Sequence, residues 1–226
     1  MRLLILGATG KVGRHAVEQA LARGHETTVL VRRPVPELDH PALRTLIGDP
    51  LAGVDLRTAL VDERARVDAV LCSIGMQRKN PANPWSRAVS PPDLTQRLAE
   101  ALIPAMEAAG VRRLVAVSAA GVGDSAPQLN LLMKFFLATT MIGAAYRDLE
   151  AMEHRLTASN LDWVAPRPTR LVDGRPSGRV NVVPAFGLSD AISRADVATW
   201  MLDAVEQPSW PRPDWGGRTP QISGTR

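Results

Sequence analysis

Short aliphatic runs alternate along this chain with longer segments of helical period. Strands are predicted at Leu3 to Leu6, Thr28 to Val31, Thr45 to Ile47, Ala69 to Cys72, Leu114 to Ser118 and Trp163 to Ala165. Helices are predicted over Val12 to Ala22, Pro91 to Ala109 and Ala144 to Thr157, so the order reads βαβα and implies a parallel sheet. Punctuation supports the helices. Gly24 and Gly110 stand where C-terminal caps belong. Ser90 with two following prolines forms a helix start in "SPPDL", and in "SRADVATWML" Ser193 and Asp196 have capping-box spacing ahead of an apolar face of Val197, Met201 and Val205. The last stretch, 209–226, is rich in Pro, Gly and Trp and reads as an extended tail laid on the domain or left partly disordered.

Composition narrows the class. With 226 residues, 45% of them hydrophobic, one domain spanning 1–208 with a small carboxyl-terminal lobe is expected. Cys72 is the one cysteine, so no internal disulfide can form; it closes an apolar run and reads as a buried, inert thiol. The opening apolar run is broken by Gly7, too short for a secretory signal, and the expected setting is the cytoplasm. Net charge is +4 and the basic residues, nearly all arginine, are spread without a run; this argues against nucleic acid and for anionic small molecules as partners. The longest apolar stretch, 129–145, is interrupted by Asn130 and Lys134 and is too short to span a membrane. His15, His25, His40 and His154 show no metal-ligand spacing, and no metal site is expected.

The chemistry begins at "LLILGATGKVGRHAVEQALARGHETTVLVRRP". A buried strand, then Gly7, Gly10 and Gly13, then an amphipathic helix and a second strand, is the context of a dinucleotide-binding loop. Glycines let the backbone turn tightly and approach a pyrophosphate, whose charge is met by amide hydrogens at the helix N-terminus. The second strand ends on Arg32 and Arg33, with no carboxylate before Glu37. An NAD site would place a carboxylate there for the ribose hydroxyls, whereas a 2′-phosphate needs positive charge, which a guanidinium supplies as a fork of donors. The sequence therefore predicts NADP(H) over NAD(H).

The spacing G-A-T-G-x-x-G resembles the extended and atypical short-chain dehydrogenase/reductases. The likeness continues through "DAVLCSIG", "AMEAAGVRRLVAVSAAGV", "LDWVAPRPTRLVDGRPSG" and "ISRADVATWMLDAVEQP", and runs from Met1 to about Pro208. Together these motifs resemble the atypical NAD(P)H-binding subgroup related to biliverdin IXβ reductase/flavin reductase and to NmrA-like proteins. The resemblance implies a Rossmann-like doubly wound α/β fold with a small carboxyl-terminal substrate lobe. It implies that Gly7, Thr9, Gly10, Lys11, Val12 and Gly13 cradle phosphates, that Arg32 with Arg33 holds a 2′-phosphate, and that Asp49 lies near the adenine. It further implies that Cys72, Ser73, Ile74 and Gly75 line the ribose side, joined by Ser118 and Ala119, and that Pro166, Arg167 and Pro168 run beside the nicotinamide with backbone groups fixing its amide.

Catalysis has a thinner signature. The Tyr-x-x-x-Lys pair of many short-chain dehydrogenases is missing: four residues after the one tyrosine, Tyr146, stands Glu150, which opposes the lowered phenol pKa a base needs. Two candidates remain. Ser118 is placed within hydrogen-bond reach of the acceptor, or else caps the turn after its strand. Arg170 replaces the histidine that biliverdin IXβ reductases carry after two prolines; it either binds a carboxylate or phosphate of the substrate or pairs with Asp173. The function expected is NADPH-dependent reduction of a flavin-like, tetrapyrrole or quinone acceptor. The alternative is a non-catalytic NADP(H) sensor of the NmrA-like kind, with the 129–145 segment as its surface for a protein partner or second copy. The same segment reads equally as a lid over a substrate pocket.

Overall fold

The computed structural model describes residues 1–35, 39–61, 65–187, 189–208, 210, 212, 215 and 217–224. Six parallel strands form the central sheet: β1 (Arg2–Leu6), β2 (Glu26–Val31), β3 (Leu43–Ile47), β4 (Ala69–Cys72), β5 (Arg113–Ala116) and β6 (Asp162–Val164). Their spatial order is β3-β2-β1-β4-β5-β6, which reverses between β1 and β4 and opens the crevice there in which sheets of this kind bind ligands. The helices are α1 (Lys11–Ala22), α2 (Gly53–Leu60), α3 (Leu94–Ala109), α4 (Leu131–Thr139), α5 (Met141–Thr157) and α6 (Arg194–Glu206).

Inside the sheet β1 and β4 are buried on both sides, which is why they read as continuous apolar runs, while the edge strand β3 is partly exposed. In β1, Leu3 and Ile5 join a core with residues of α1 and α6, while Leu4 and Leu6 face the opposite core built with α2, α3 and α5. All four are fully buried, and each contributes about 1.5–3 kcal/mol relative to exposure. Gly24 and Gly110 both take positive φ at the ends of α1 and α3, the left-handed turn their sequence positions predict.

Several boundaries differ from the sequence reading. Strand β5 stops at Ala116, although the chain beyond it stays hydrogen-bonded: the Ser118 and Ala120 amides donate to the carbonyls of Pro166 and Pro168. Helix α3 begins at Leu94 instead of Pro91, and Ser90 does not cap it; the Ser90 hydroxyl accepts from the Gln77 amide. The cap comes from α5, where the buried Asp148 carboxylate accepts the Thr95 and Gln96 amides at 2.9 and 3.0 Å. Such a cap is invisible locally because its partners are about fifty residues apart. Helix α5 starts at Met141, three residues early, because Gly143 admits the carbonyl of Leu137 so closely that a Cβ would lie 2.0 Å from it. Ser193 and Asp196 do form the capping box of α6.

The carboxyl-terminal part builds two small sheets. Strands β8 (Arg170–Val172) and β10 (Ala191–Ser193) pair in parallel, and β11 (Gln221–Gly224) lies between β7 (Arg167–Pro168) and β9 (Val180–Val182). The stretch expected as a tail is thus partly a strand. Its reason is hydrogen bonding: the amides of Ala165, Arg167 and Thr169 donate to the carbonyls of Arg218, Pro220 and Ile222, satisfying a segment that would otherwise be an open edge. Trp215 is buried against Trp200 of α6.

Candidate functional site

The glycine loop is shaped by three requirements. Gly7 has φ +90, which an L side chain rarely adopts; the Gly10 amide donates to the Gly7 carbonyl at 2.8 Å; and a Cβ on Gly13 would stand 2.0 Å from that same carbonyl oxygen. The last contact packs the first turn of α1 directly on the end of β1. Gly10 caps α1 without a side chain, the first turn holds no acidic residue, and Thr9 is exposed beside it. Among the described residues the amides of Lys11, Val12 and Gly13 have no acceptor. Three free N–H groups at the positive end of a twelve-residue helix fit a phosphate group, and so the pyrophosphate of a dinucleotide.

The other residues singled out by sequence follow at the carboxyl ends of the strands, which the register keeps level. Asp49 follows β3, Arg32 and Arg33 follow β2, Ser73, Ile74 and Gly75 follow β4, and Ser118 and Ala119 follow β5. Arg32 and Arg33 are exposed and, among the described residues, unpaired; Glu37 lies outside the described residues. Asp49 is engaged in a local turn, its carboxylate accepting the Leu51 amide while its own amide donates to Asp55. Cys72 is buried, and burial pushes its thiol up to about 11, so it remains a neutral packing residue. The Ser73 hydroxyl stands 2.9 Å from where a Cβ on Gly7 or Gly13 would lie, a second reason for glycine at both positions.

Lys11 offers the groove only its amide. Its ammonium is held by Asp173 at 2.8 Å, and Asp173 also pairs with Arg194 at 2.6 Å. The hydrogen bond from Lys11 draws the Asp173 carboxyl below its usual range; desolvation opposes it, and the charges of Arg194 and Lys11 leave the net shift downward. Asp173 is therefore not the partner of Arg170. The Arg170 guanidinium is unpaired among the described residues and borders a neighbouring cavity.

That cavity has a volume of about 650 Å³. Its floor is formed by 118–120 and 168–171, the two segments held together by the Ser118 and Ala120 amides. Its wall is apolar, with Met133, Phe136 and Leu137 of α4 and Met141 and Ile142 of α5. The 129–145 segment thus lines the cavity with one face, while Leu131, Leu132 and Phe135, at 84%, 69% and 68% exposure, show the other to solvent. Arg78 borders the cavity too but donates to the carbonyls of Pro81 and Asn83. Tyr146 also lines it, with its hydroxyl donating to the Ala120 carbonyl at 3.1 Å. Burial raises the Tyr146 pKa, the wrong direction for a phenol that must trade protons near neutrality.

Behind the floor lies a network that the sequence reading missed. The Ser118 hydroxyl donates to Glu153 at 2.6 Å, and Arg167 clamps the same carboxylate through Nε at 3.0 Å and Nη2 at 2.6 Å. Arg167 reaches Asp124 with its remaining nitrogen. Burial lowers the guanidinium pKa, but the hydrogen bonds and charges of Glu153 and Asp124 outweigh it, and the net shift is upward. Gly123 makes the clamp possible, since a Cβ there would lie 2.8 Å from Arg167 Nη2. The Arg167 side chain therefore belongs to this ion pair, and only its main chain is available to a cofactor. One signal was present: Glu153 lies two turns after Tyr146, on the same buried face of α5.

Among the described residues no helix is long and apolar enough to cross a membrane, and no cluster of His, Cys, Asp and Glu could hold a metal ion. Comparison with known proteins agrees with the groove. An uncharacterized chloroplastic protein of Arabidopsis thaliana is 26% identical over 91% of this chain and 72% of its own. A 3-beta-hydroxysteroid dehydrogenase of Mycolicibacterium neoaurum is 42% identical, but over 26% of this chain; the match spans 16% of that protein. Among solved structures, the anaerobillin reductase ChuY from Escherichia coli O157:H7 superposes with a TM-score of 0.76 at 23% identity, covering 98% of this chain and 96% of that one. A wide-type short-chain dehydrogenase/reductase from Veillonella parvula, in complex with NADP, gives 0.74 at 17% identity, covering 98% and 93%. The family model described as NAD(P)H-binding matches residues 7–208, and with that match the chain belongs to the NAD(P)H-binding family of Rossmann-fold proteins.

Proposed function

We propose that the protein is an NADPH-dependent reductase of a conjugated, aromatic acceptor that carries an anionic group. The observation that carries this reading is the 650 Å³ apolar cavity with the unpaired Arg170 at its border, abutting the carboxyl end of the parallel sheet. Bound NADPH would supply a hydride, and the protein would supply proximity and orientation. The amides at the start of α1 hold the pyrophosphate, and Arg32 with Arg33 meets the 2′-phosphate. The main chain of 166–167 would border the cofactor, while Pro168 and the 118–119 segment line the cavity, which would bring cofactor and acceptor into contact across a shared floor. Apolar residues of α4 and α5 cover the acceptor and exclude water, and Arg170 neutralises its anionic group. The chain's reductase relatives, ChuY among the structures, support the class of reaction.

The competing reading is an NADP(H) sensor with no turnover. The exposed outer face of α4 favours it, but a sensor has no use for a cavity of acceptor size beside the groove. NADPH consumption with FMN, riboflavin, biliverdin and quinones separates the two. Saturable turnover is expected with at least one of them, and Arg170→Ala should raise KM for that acceptor about tenfold while leaving the NADPH Kd unchanged. Tight NADPH binding with no oxidation across the panel overturns the reductase.

A further inference from the structure

The buried carboxylate behind the cavity floor dictates what Ser118 offers a ligand. A serine hydroxyl has one hydrogen to donate and two acceptor sites, whereas a carboxylate in a salt bridge only accepts. At 2.6 Å from Glu153, the Ser118 hydroxyl is therefore the donor. The carboxylate cannot turn away, because Arg167 holds both of its oxygens, and Arg167 is itself held by Asp124 and passes over Gly123 where no side chain fits. The Ser118 main chain is fixed as well, through its amide to Pro166. Ser118 borders the cavity and Glu153 does not. What Ser118 has left for the cavity is lone pairs.

We propose that Glu153 and Arg167 are positioning residues that fix Ser118 as a hydrogen-bond acceptor, so that the cavity selects acceptors presenting an N–H at this point, such as an imide, a lactam or a pyrrole edge. A ketone or quinone oxygen there meets lone pairs. To bind it, Ser118 would have to withdraw its hydrogen from a buried charged partner, which is among the stronger hydrogen bonds a hydroxyl makes. This specificity rests on the reductase reading above and narrows its acceptor class: flavins and tetrapyrroles carry such an N–H, quinones do not.

The test uses lumiflavin and 3-methyllumiflavin, which share one ring system and differ in the hydrogen on N3. Their affinities are measured by flavin fluorescence with the protein saturated with NADP+, so that no turnover is needed. Lumiflavin is expected to bind about tenfold more tightly, and Ser118→Ala should bring the ratio close to one. Glu153→Gln, with its fold checked by thermal melting, should also shrink the ratio at least threefold, since the amide can present an N–H to Ser118 and release the hydroxyl. A purely structural role for Glu153 would weaken both flavins alike and leave the ratio unmoved, which overturns the proposal. So do equal affinities in the wild type, a preference that survives Ser118→Ala, or binding of neither flavin. Turnover with quinones alongside equal flavin affinities would sink the N–H specificity and leave the reductase standing. An N–H preference without NADPH oxidation by any acceptor would do the reverse.

Discussion

The cofactor groove and the acceptor cavity share a floor but are made of different material. The groove is main chain: free amides, a tight turn, and strand ends kept level by the register of the sheet. The cavity is side chain, gathered from segments around 76–78, 118–120, 128–146 and 168–171 and from Phe186, Gly187 and Asp190. Backbone geometry tolerates little change, because moving it moves the sheet, whereas the cavity-lining side chains Met133, Phe136 and Leu137 of α4 and Met141 and Ile142 of α5 lie outside the two cores that hold β1. The fold therefore accounts for the NAD(P)H-binding class, and in the proposed function the choice of acceptor falls to a few cavity residues such as Ser118 and Arg170.

Gly13→Ala puts the sharpest strain on that comparison. The new Cβ would overlap the Gly7 carbonyl, and either α1 or the end of β1 must shift. A stability loss of about 1–3 kcal/mol is expected, with NADPH binding weakened more than a hundredfold. If binding survived intact, the groove would be far more plastic than its close contacts imply. Next in size is Arg32→Ala combined with Arg33→Ala. Removing charge-assisted hydrogen bonds to a 2′-phosphate should raise the NADPH Kd about 10- to 100-fold and leave NADH unchanged. Equal losses for both cofactors would remove these arginines from the specificity of the site.

The same contrast explains how much of the molecule was legible in its sequence. The groove was readable because its determinants lie within seven residues, Gly7 to Gly13, and because a buried strand followed by glycines has few other physical explanations. The sheet was readable for a similar reason, since strands covered on both faces must be apolar throughout. The cavity was not. Ser118 and Arg170 were singled out by position and border the cavity, but Glu153 of α5, Arg167 of β7 and Asp124 between β5 and α4 meet only once those segments have packed, and no spacing records that. Asp148 capping α3 from α5 escaped for the same reason, and Ser90, which looked like the local cap, serves the Gln77 amide instead. The pairing of Lys11 with Asp173 likewise joins residues 162 positions apart.

That last pair is where the two regions touch, and it makes the finest test. Lys11 opens α1 at the proposed phosphate site, and Asp173 follows β8, whose Arg170 borders the cavity. A phosphate at the α1 N-terminus would compete with Asp173 for the Lys11 ammonium, and the carboxylate would repel it besides. Asp173→Asn should therefore tighten NADP+ binding about two- to fivefold, the scale expected of an exposed pair, and the gain should shrink as salt screens it. The pH dependence has a definite sign. Lys11 and Arg194 hold the Asp173 carboxyl below its usual range, so the pair is intact at neutral pH and is lost as pH falls through that lowered value. The wild type should approach the variant in acid and differ most near neutrality, as measured by NADP+ titration across pH. Weaker binding by Asp173→Asn at neutral pH would reverse the reading. Asp173 would then be holding Lys11 and the loop in place for the phosphate, and the substrate lobe would be supporting the groove from outside it.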